Sequence, residues 1–205
     1  MSRQKKLSLI AGIIIVVIIL LDQLLKIWVK THMALGQTIP IFGDWLNLFF
    51  IENSGMAFGL SFGENIGKLM LSLFRIVLVV FLCWYMHKLI KKDKIDGLML
   101  TIFSLIIAGA LGNIIDCLFY GLAFGYAPFF YGKVVDMIYV KLFPIPESFP
   151  LWGGSYFFPA IFNIADSCIT VGVFMVLIFN KRCFQYFEKN EENCSNVDEN
   201  ASKEC

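Results

Sequence analysis

The stretch Pro159-Ala-Ile-Phe-Asn-Ile-Ala-Asp-Ser-Cys-Ile-Thr-Val-Gly-Val-Phe-Met-Val-Leu-Ile-Phe-Asn180 is almost wholly apolar, yet it carries Asp166 near one end. Its length matches the roughly 20 residues that a helix needs to cross a bilayer core of about 30 Å. An aspartate in such a helix costs about 2.5–3.5 kcal/mol on insertion scales, so it needs a partner or a task. A second aspartate closes the upstream stretch Gly132-Lys-Val-Val-Asp136. Two carboxylates that can meet at the watery edge of a membrane suggest acid–base hydrolysis.

The composition of the whole chain is that of an integral membrane protein. Of its 205 residues, 58% are hydrophobic and 16% charged, and the mean hydropathy is +0.73. Soluble domains usually carry about 25% charged residues. The apolar excess falls in four blocks, which predict membrane helices at about residues 7–29, 66–89, 97–120 and 159–180. We therefore expect an all-α, four-transmembrane-helix bundle that forms a single domain over residues 1–182. The acidic, Asn-rich segment 183–205 is predicted to be a disordered tail.

Lysine and arginine set the predicted orientation. Positive charges cluster before the first block, between the second and third blocks, and after the fourth, whereas the two long loops carry few. Because such clusters stay on the cytoplasmic side, both termini are predicted to be cytoplasmic and both long loops extracytoplasmic. In the first long loop, Thr38–Gly43 is predicted to be turn-rich, and the aromatic run Trp45–Ile51 is predicted to be a strand.

Polar side chains of three predicted helices share one depth, about 6–10 Å below the outer surface. Each asparagine precedes an aspartate by three residues and the lysine follows one by four, so partners share a helix face. The residues are Asp22, Lys26, Asn113, Asp116, Asn163 and Asp166.

Each of these residues also has a purely structural interpretation. Asp22 and Lys26 could form an ion pair that snorkels to the interface. The two asparagines could serve as hydrogen bonds between helices, and Asp116 could cap a helix end or hold a loop. Their common depth, together with the nearby Asp136, favours a functional site.

The residue types present exclude several chemistries. The two histidines, His32 and His87, are predicted on opposite sides of the membrane, and Ser54 lacks the Gly-x-Ser-x-Gly pattern of a serine nucleophile. The six cysteines lack zinc-site spacing, and no His-Glu-x-x-His occurs. No metal, cofactor or nucleic-acid partner is therefore expected. A carboxylate pair remains, in which one member holds a proton while the other accepts one from water.

Five blocks together resemble the bacterial lipoprotein signal peptidases, the type II signal peptidases, over roughly residues 7–182. The blocks are Asp22-Gln-Leu-Leu-Lys26, Glu52-Asn-Ser-Gly-Met-Ala-Phe-Gly59, Gly112-Asn-Ile-Ile-Asp116, Gly132-Lys-Val-Val-Asp136 and Phe162-Asn-Ile-Ala-Asp166-Ser167. The resemblance implies an aspartic endopeptidase of the bacterial inner membrane. Such an enzyme has four membrane helices, a small extracytoplasmic β-element and an active site at the periplasmic face. It would remove the signal peptide from diacylglyceryl-modified prolipoproteins, cutting just before the lipidated cysteine, in contact with membrane lipids.

The resemblance also implies roles for single residues. Asp136 and Asp166 resemble the catalytic pair, and Asn163 resembles a neighbour that supports it. The remaining matches resemble the structural and substrate-positioning shell; they are Asp22, Lys26, Asn53, Asn113 and Asp116.

The chain departs from the family pattern in two places. Cys117 stands where the family usually has arginine, so the role of that arginine must be supplied otherwise or omitted. The loops are also longer than usual at residues 120–131 and 144–158. The aromatic segment Tyr120–Tyr131 is predicted to lie at the outer membrane surface, where Gly121, Gly125 and Pro128 oppose a continuous helix. It could form a mobile flap or a re-entrant turn, or serve as a passive anchor.

The alternative to a peptidase is a small proton- or ion-coupled transporter, since intramembrane aspartates also line ion paths. A transporter would need polar residues along the whole depth of the bundle. The inner halves of the predicted helices are apolar, which argues against it.

Overall fold

The fold is a helical bundle with a small sheet at one end. The computed structural model describes residues 1–53, 64–148, 154, 156–157 and 160–181. Its helices are α1 (Arg3–His32), α2 (Glu64–Lys91), α3 (Gly97–Ile115), α4 (Gly121–Ala123) and α5 (Ile164–Ile178), and a π-helical turn, Asp116–Tyr120, joins α3 to α4. The strands are β1 (Thr38–Phe42), β2 (Leu46–Asn53), β3 (Val134–Val140) and β4 (Ile161–Phe162).

Three helical segments among the described residues are long and apolar enough to cross a membrane: 3–32, 69–91 and 97–123. They confirm the first three predicted helices with ends displaced by a few residues. Large apolar side chains cover the outside of α1 and α2, as expected for lipid-facing surfaces. Examples are Ile13, Val17, Leu24, Phe74, Val77 and Phe81.

The predicted start of the fourth helix is wrong. The chain forms β4 over Ile161–Phe162, and α5 begins only at Ile164, because the Asn163 side chain accepts from the backbone N–H of Asp166 and caps the helix. Asp166 thus lies in the first turn of α5 rather than two turns inside a helix. Pro159 and the predicted tail 183–205 lie outside the described residues.

The described residues form one four-stranded antiparallel sheet, in the order β1-β2-β3-β4. The prediction of a turn-rich segment over Thr38–Gly43 is wrong for its first five residues, which pair as β1 with β2. The predicted aromatic strand is confirmed as β2, and it pairs with β3 so that Ile51 faces Asp136. A buried cluster seals the junction between this sheet and the end of α1; it contains Val29, Met33, Phe50, Tyr120, Val135 and Met137.

Helices α3 and α5 pack with their backbones in near contact. A Cβ added at Gly109 would lie 2.3 Å from the carbonyl oxygen of Ala165 and 2.7 Å from Ile169. A backbone atom cannot move aside as a side-chain tip can, so only glycine fits at this position. This close approach brings the start of α5 against the side chains near the end of α3.

The aromatic segment that follows the π-helical turn closes on itself. Helix α4 ends at Ala123, and Gly125 adopts a positive φ of +70° that lets the chain reverse. The N–H of Tyr126 donates to the carbonyl of Gly121 (3.0 Å), and the N–H of Gly132 donates to the carbonyl of Cys117 (2.9 Å). The prediction that glycines oppose a continuous helix here is confirmed at Gly125 and wrong at Gly121, which is itself helical.

Candidate active site

Asp136 lies in the middle of β3 at the junction of sheet and bundle, and only 4% of its surface is exposed. Its two carboxylate oxygens have different partners. The Asn163 side-chain amide donates to Oδ1 over 2.7 Å, and the Asn53 amide donates to Oδ2 over 3.2 Å. One partner comes from the start of α5 and the other from the end of β2, so this carboxyl group is fixed from both sides.

Asp166 is held by a matching pair of asparagines. Its backbone N–H donates to Oδ1 of Asn163 (2.8 Å), and its Oδ1 accepts from the amide of Asn113 (2.7 Å) on α3. The Asn163 amide also donates to Oδ1 of Asn113 at 3.2 Å. Asn163 thus contacts both aspartates, one through its amide nitrogen and the other through its amide oxygen.

The environment of Asp136 favours its neutral form. Burial, followed by repulsion from the nearby Asp166 carboxylate, raises its pKa from 3.8 to about 7, although the amides of Asn53 and Asn163 act in the opposite direction. A carboxyl group with such a pKa can hold a proton at neutral pH beside a second carboxylate. The arrangement suits a pair that shares one proton.

Lys26 forms the centre of a buried ionic network beneath these two carboxyl groups. Its Nζ lies 2.8 Å from Oδ2 of Asp22 and 2.8 Å from Oδ2 of Asp116, and it donates to Oδ1 of Asn113 over 3.0 Å. The predicted Asp22–Lys26 pair is confirmed, but the interpretation that it snorkels to the interface is wrong, because the lysine side chain is 0% exposed. A buried lysine is stable only when its charge and donors are satisfied in this way.

The two aspartates of this network also bind backbone. Oδ1 of Asp22 accepts from the N–H of Ala165 (2.9 Å), next to Asp166. Oδ2 of Asp116 accepts from the N–H of Val135 (3.3 Å), next to Asp136. The network therefore fixes the backbone beside each candidate catalytic residue.

All eight site residues predicted from the sequence belong to one connected network. Gln23 also belongs to this network and was not predicted from the sequence. Its amide nitrogen donates to Asp116 Oδ1 (2.9 Å) and to the carbonyl of Gly112 (3.1 Å), and its oxygen accepts from the Tyr120 hydroxyl (3.1 Å). Its signal was available: an amide between Asp22 and Lys26 in an apolar helix is as exceptional as its charged neighbours.

Glu52 forms a second ionic group at the rim of the site. It pairs with Lys30 at the end of α1 and with Lys133 before β3, the latter at 3.2 Å. Burial alone would raise the pKa of Glu52, but the hydrogen bonds and charges of the two lysines lower it below the ordinary value. Lys30 also lies 4.7 Å above the rings of Phe124 and Tyr126, so the rim is joined to the aromatic segment.

Within the described ranges, no three side chains among histidine, cysteine, aspartate and glutamate come together as a metal site would require. The expectation of a metal-free and cofactor-free site stays a prediction.

Comparison with known proteins gives a consistent assignment. Residues 14–181 match the model of a family described as signal peptidase (SPase) II. A lipoprotein signal peptidase of Porphyromonas gingivalis is 42% identical over 188 residues, which cover 82% of this chain and 81% of the relative. A lipoprotein signal peptidase of Amoebophilus asiaticus is 35% identical over 193 residues, which cover 88% of this chain and 81% of the relative.

Solved structures agree with the sequence relatives. Two structures described as bacterial membrane enzymes match this fold with a TM-score of 0.59 each. The first is 27% identical in sequence, and the match covers 84% of this chain and 87% of that structure. The second is 30% identical, and the match covers 82% of this chain and 90% of that structure. The fold is therefore that of a membrane enzyme with apolar helices and a small antiparallel sheet.

Proposed function

Since the chain belongs to the signal peptidase II family, we propose that Asp136 and Asp166 are the catalytic pair with which it cleaves signal peptides from lipoproteins. Membership of this family makes the chain a peptidase and gives no support to the transporter alternative. The observation that carries the assignment is the Asn163 side chain, which binds Asp136 with its nitrogen and the Asp166 backbone with its oxygen.

The proposed reaction uses the one proton of the pair. Asp136, whose pKa is near 7, donates a hydrogen bond to the carbonyl oxygen of the scissile peptide, while ionised Asp166 takes a proton from water. The resulting hydroxide attacks the carbonyl carbon, and Asp136 transfers its proton to the developing oxyanion. Collapse of this tetrahedral intermediate breaks the C–N bond, and the leaving amine takes the proton held by Asp166. The oxyanion proton returns to Asp136, which restores the pair.

Four membrane spans with cytoplasmic termini are part of this proposal. Support comes from one end of the bundle, where Arg3 of α1 pairs with Asp93 in the α2–α3 turn and the Gln4 amide donates to the Lys91 carbonyl over 2.9 Å. The positive charges therefore gather at the end opposite the sheet. By the positive-inside rule, that end faces the cytoplasm and the pair faces the outside of the inner membrane.

The substrate proposed is a diacylglyceryl-modified prolipoprotein, cut before the lipidated cysteine. That the substrate is a lipoprotein precursor follows from the names of the relatives. The position of the site supports a lipid-modified substrate, because the two aspartates lie where the sheet meets an apolar bundle. A peptide can approach from the aqueous side while its acyl chains stay in the bilayer among membrane lipids.

The test is cleavage of one prolipoprotein peptide with and without its diacylglyceryl group by the purified protein in nanodiscs. We expect signal-peptide release from the lipidated form only, and a loss of several orders of magnitude in both Asp136→Asn and Asp166→Asn. Ser167→Ala, in the same turn of α5, is the matched control and should stay near wild type. Turnover by either asparagine variant would contradict the pair, and loss of activity in EDTA restored by zinc would contradict the metal-free mechanism.

A further inference from the structure

Arg75 is a charged residue within the apolar helix α2, in the run Leu73-Phe-Arg-Ile-Val77. Its neighbours Phe74 and Val77 are 63% and 66% exposed on the outside of the bundle, where lipid would lie. Arginine keeps its charge in proteins and carries five N–H donors. A guanidinium group at this depth is therefore costly unless oxygen acceptors surround it.

The polar contact of Arg75 is weak. Its Nη1 lies 3.8 Å from Sγ of Cys117, a thiol that is only 2% exposed. A thiol sulfur is a poor acceptor, and among the described residues it is the hydrogen-bond partner recorded for this guanidinium group. The ion pairs of the described part of the chain belong to Arg3, Lys26, Lys30 and Lys133, and none of them includes Arg75.

The position of the contact ties Arg75 to the candidate active site. Cys117 directly follows Asp116, whose carboxylate binds the backbone next to Asp136. The Cys117 carbonyl accepts from Gly132, and a Cβ on that glycine would lie 2.0 Å from the Asp116 carbonyl oxygen. The guanidinium therefore approaches the point where the end of α3 and the segment leading to β3 are in contact. The Arg75 side chain is half-buried.

We propose that Arg75 is a substrate-binding residue, which donates hydrogen bonds to carbonyl oxygens of the lipid-modified substrate beside the cleaved bond. Both ester and peptide carbonyls offer this acceptor. The positive charge of this proposed substrate site comes from Arg75 on α2, which lies across from Cys117. In the usual family pattern an arginine occupies the position of Cys117 itself. This inference rests on the proposed function.

Binding is measured separately from cleavage. The Asp166→Asn protein in nanodiscs is titrated with fluorescent lipidated peptide, with and without Arg75→Met. We expect Kd to rise about tenfold, as for a lost hydrogen bond to a charged donor. In the active protein, KM should rise more than kcat falls. Lys88→Met is the control: this lysine lies on the same helix, 5.1 Å above the Trp84 ring at the opposite end, and should leave Kd unchanged.

A second variant moves the charge across the contact. Cys117→Arg in the Arg75→Met background places a guanidinium on α3 beside the original position, and we expect most of the lost affinity to return. The thermal unfolding midpoint is recorded for every variant. Equal Kd values with and without Arg75 would overturn the proposal, and so would a loss of affinity that follows a loss of stability in both Arg75→Met and Arg75→Lys.

The ester carbonyls and the peptide carbonyls are distinguished by the unlipidated peptide. If Arg75→Met weakens both peptides equally, the acceptor is a peptide carbonyl; if it weakens only the lipidated one, the acceptor is an ester. If the variant instead loses bound phosphatidylglycerol in native mass spectrometry and keeps its substrate Kd, Arg75 binds bulk lipid and the proposal fails. Absence of cleavage by the wild-type protein, with Arg75-dependent binding intact, would count against the proposed function alone.

Discussion

The side-chain amide of Asn163 donates a 2.7 Å hydrogen bond to Oδ1 of Asp136, across the junction between α5 and β3. The oxygen of the same amide caps α5 at its third residue, Asp166. One side chain therefore sets the start of the helix and the position of both carboxyl groups. Separating these two roles is the most direct test of how the pair is held.

Replacing Asn163 by serine and by alanine separates the cap from the contact to Asp136. Serine is a good helix cap but has no amide donor, so Asn163→Ser should keep most stability and lose at least tenfold in kcat. Asn163→Ala loses the cap as well and should unfold about 1 kcal/mol more easily. Thermal unfolding and steady-state cleavage measure the two effects. Equal activity of the serine variant and wild type would show that the contact to Asp136 is dispensable.

The pH dependence of cleavage should be bell-shaped and should report the pair rather than either residue. Because the pKa of Asp136 is raised to about 7, the shared proton is lost as pH rises through neutrality, and the rate should fall there. A rate that rises steadily from acid to alkaline pH would contradict the shared proton. Asn163→Ser removes a hydrogen bond that lowers this pKa, so its alkaline limb should move to higher pH.

Protonation of Asp136 should also link pH to stability. The folded protein holds this proton more tightly than the unfolded chain, where the ordinary value is 3.8. The contribution of Asp136 to the free energy of unfolding is therefore greatest below about pH 4. It falls by on the order of a few kcal/mol as pH rises to about 7. Asp136→Asn should flatten that slope between pH 4 and 7. If the asparagine variant keeps the wild-type dependence of stability on pH, that dependence arises from other groups.

Removing the charge of Lys26 should destabilise the protein far more than removing a surface charge. Lys26→Met leaves Asp22 and Asp116 as buried carboxylates without a cation, which costs about 3–5 kcal/mol. Adding Asp116→Asn should recover part of this loss because one of the two carboxylates is then gone. Lys5→Met, at an exposed position, is the control. Equal unfolding of the Lys26 and Lys5 variants in detergent would show that the network carries no stability.

Shortening the aromatic segment should distinguish a flap from an anchor. Replacing residues 122–129 with a short Gly-Ser linker should raise KM for the lipidated peptide several-fold if the segment covers the bound lipid. Both aspartates should stay competent, because their hydrogen-bond partners lie outside this segment. Leu122→Ala, an exposed change within the full-length segment, is the control. Unchanged kinetics at matched protein level would leave only the anchoring role.

The main helices and the site residues could be predicted because their signals are local or energetic. Long apolar runs mark α1, α2 and α3, and a polar group in such a run stands out by its cost. Six of the eight site residues lie in such runs, even though partners such as Lys26 and Asn113 are far apart in the chain. Asn53 lies outside these runs and was identified only through the family resemblance.

The start of α5 could not be predicted from hydrophobicity. Ala160–Phe162 is as apolar as the helix that follows, and pairing of Phe162 with Ile138 decides that part of it becomes strand. The same long-range pairing turns Thr38–Phe42 into β1. The Arg75–Cys117 contact joins residues of two helices, and no periodicity within either helix reveals it.

The buried set of Asp22, Lys26 and Asp116 contains one positive and two negative groups, and Lys26 joins them because it pairs with both aspartates. A single substitution at any of the three changes the net charge of this set where water cannot compensate it. Among related sequences, Asp22, Lys26 and Asp116 should therefore be retained or exchanged as a set, whereas Lys30, Glu52 and Lys133 at the wetter rim should vary one at a time. The depth of each ionic group thus sets how many simultaneous mutations evolution needs to alter it.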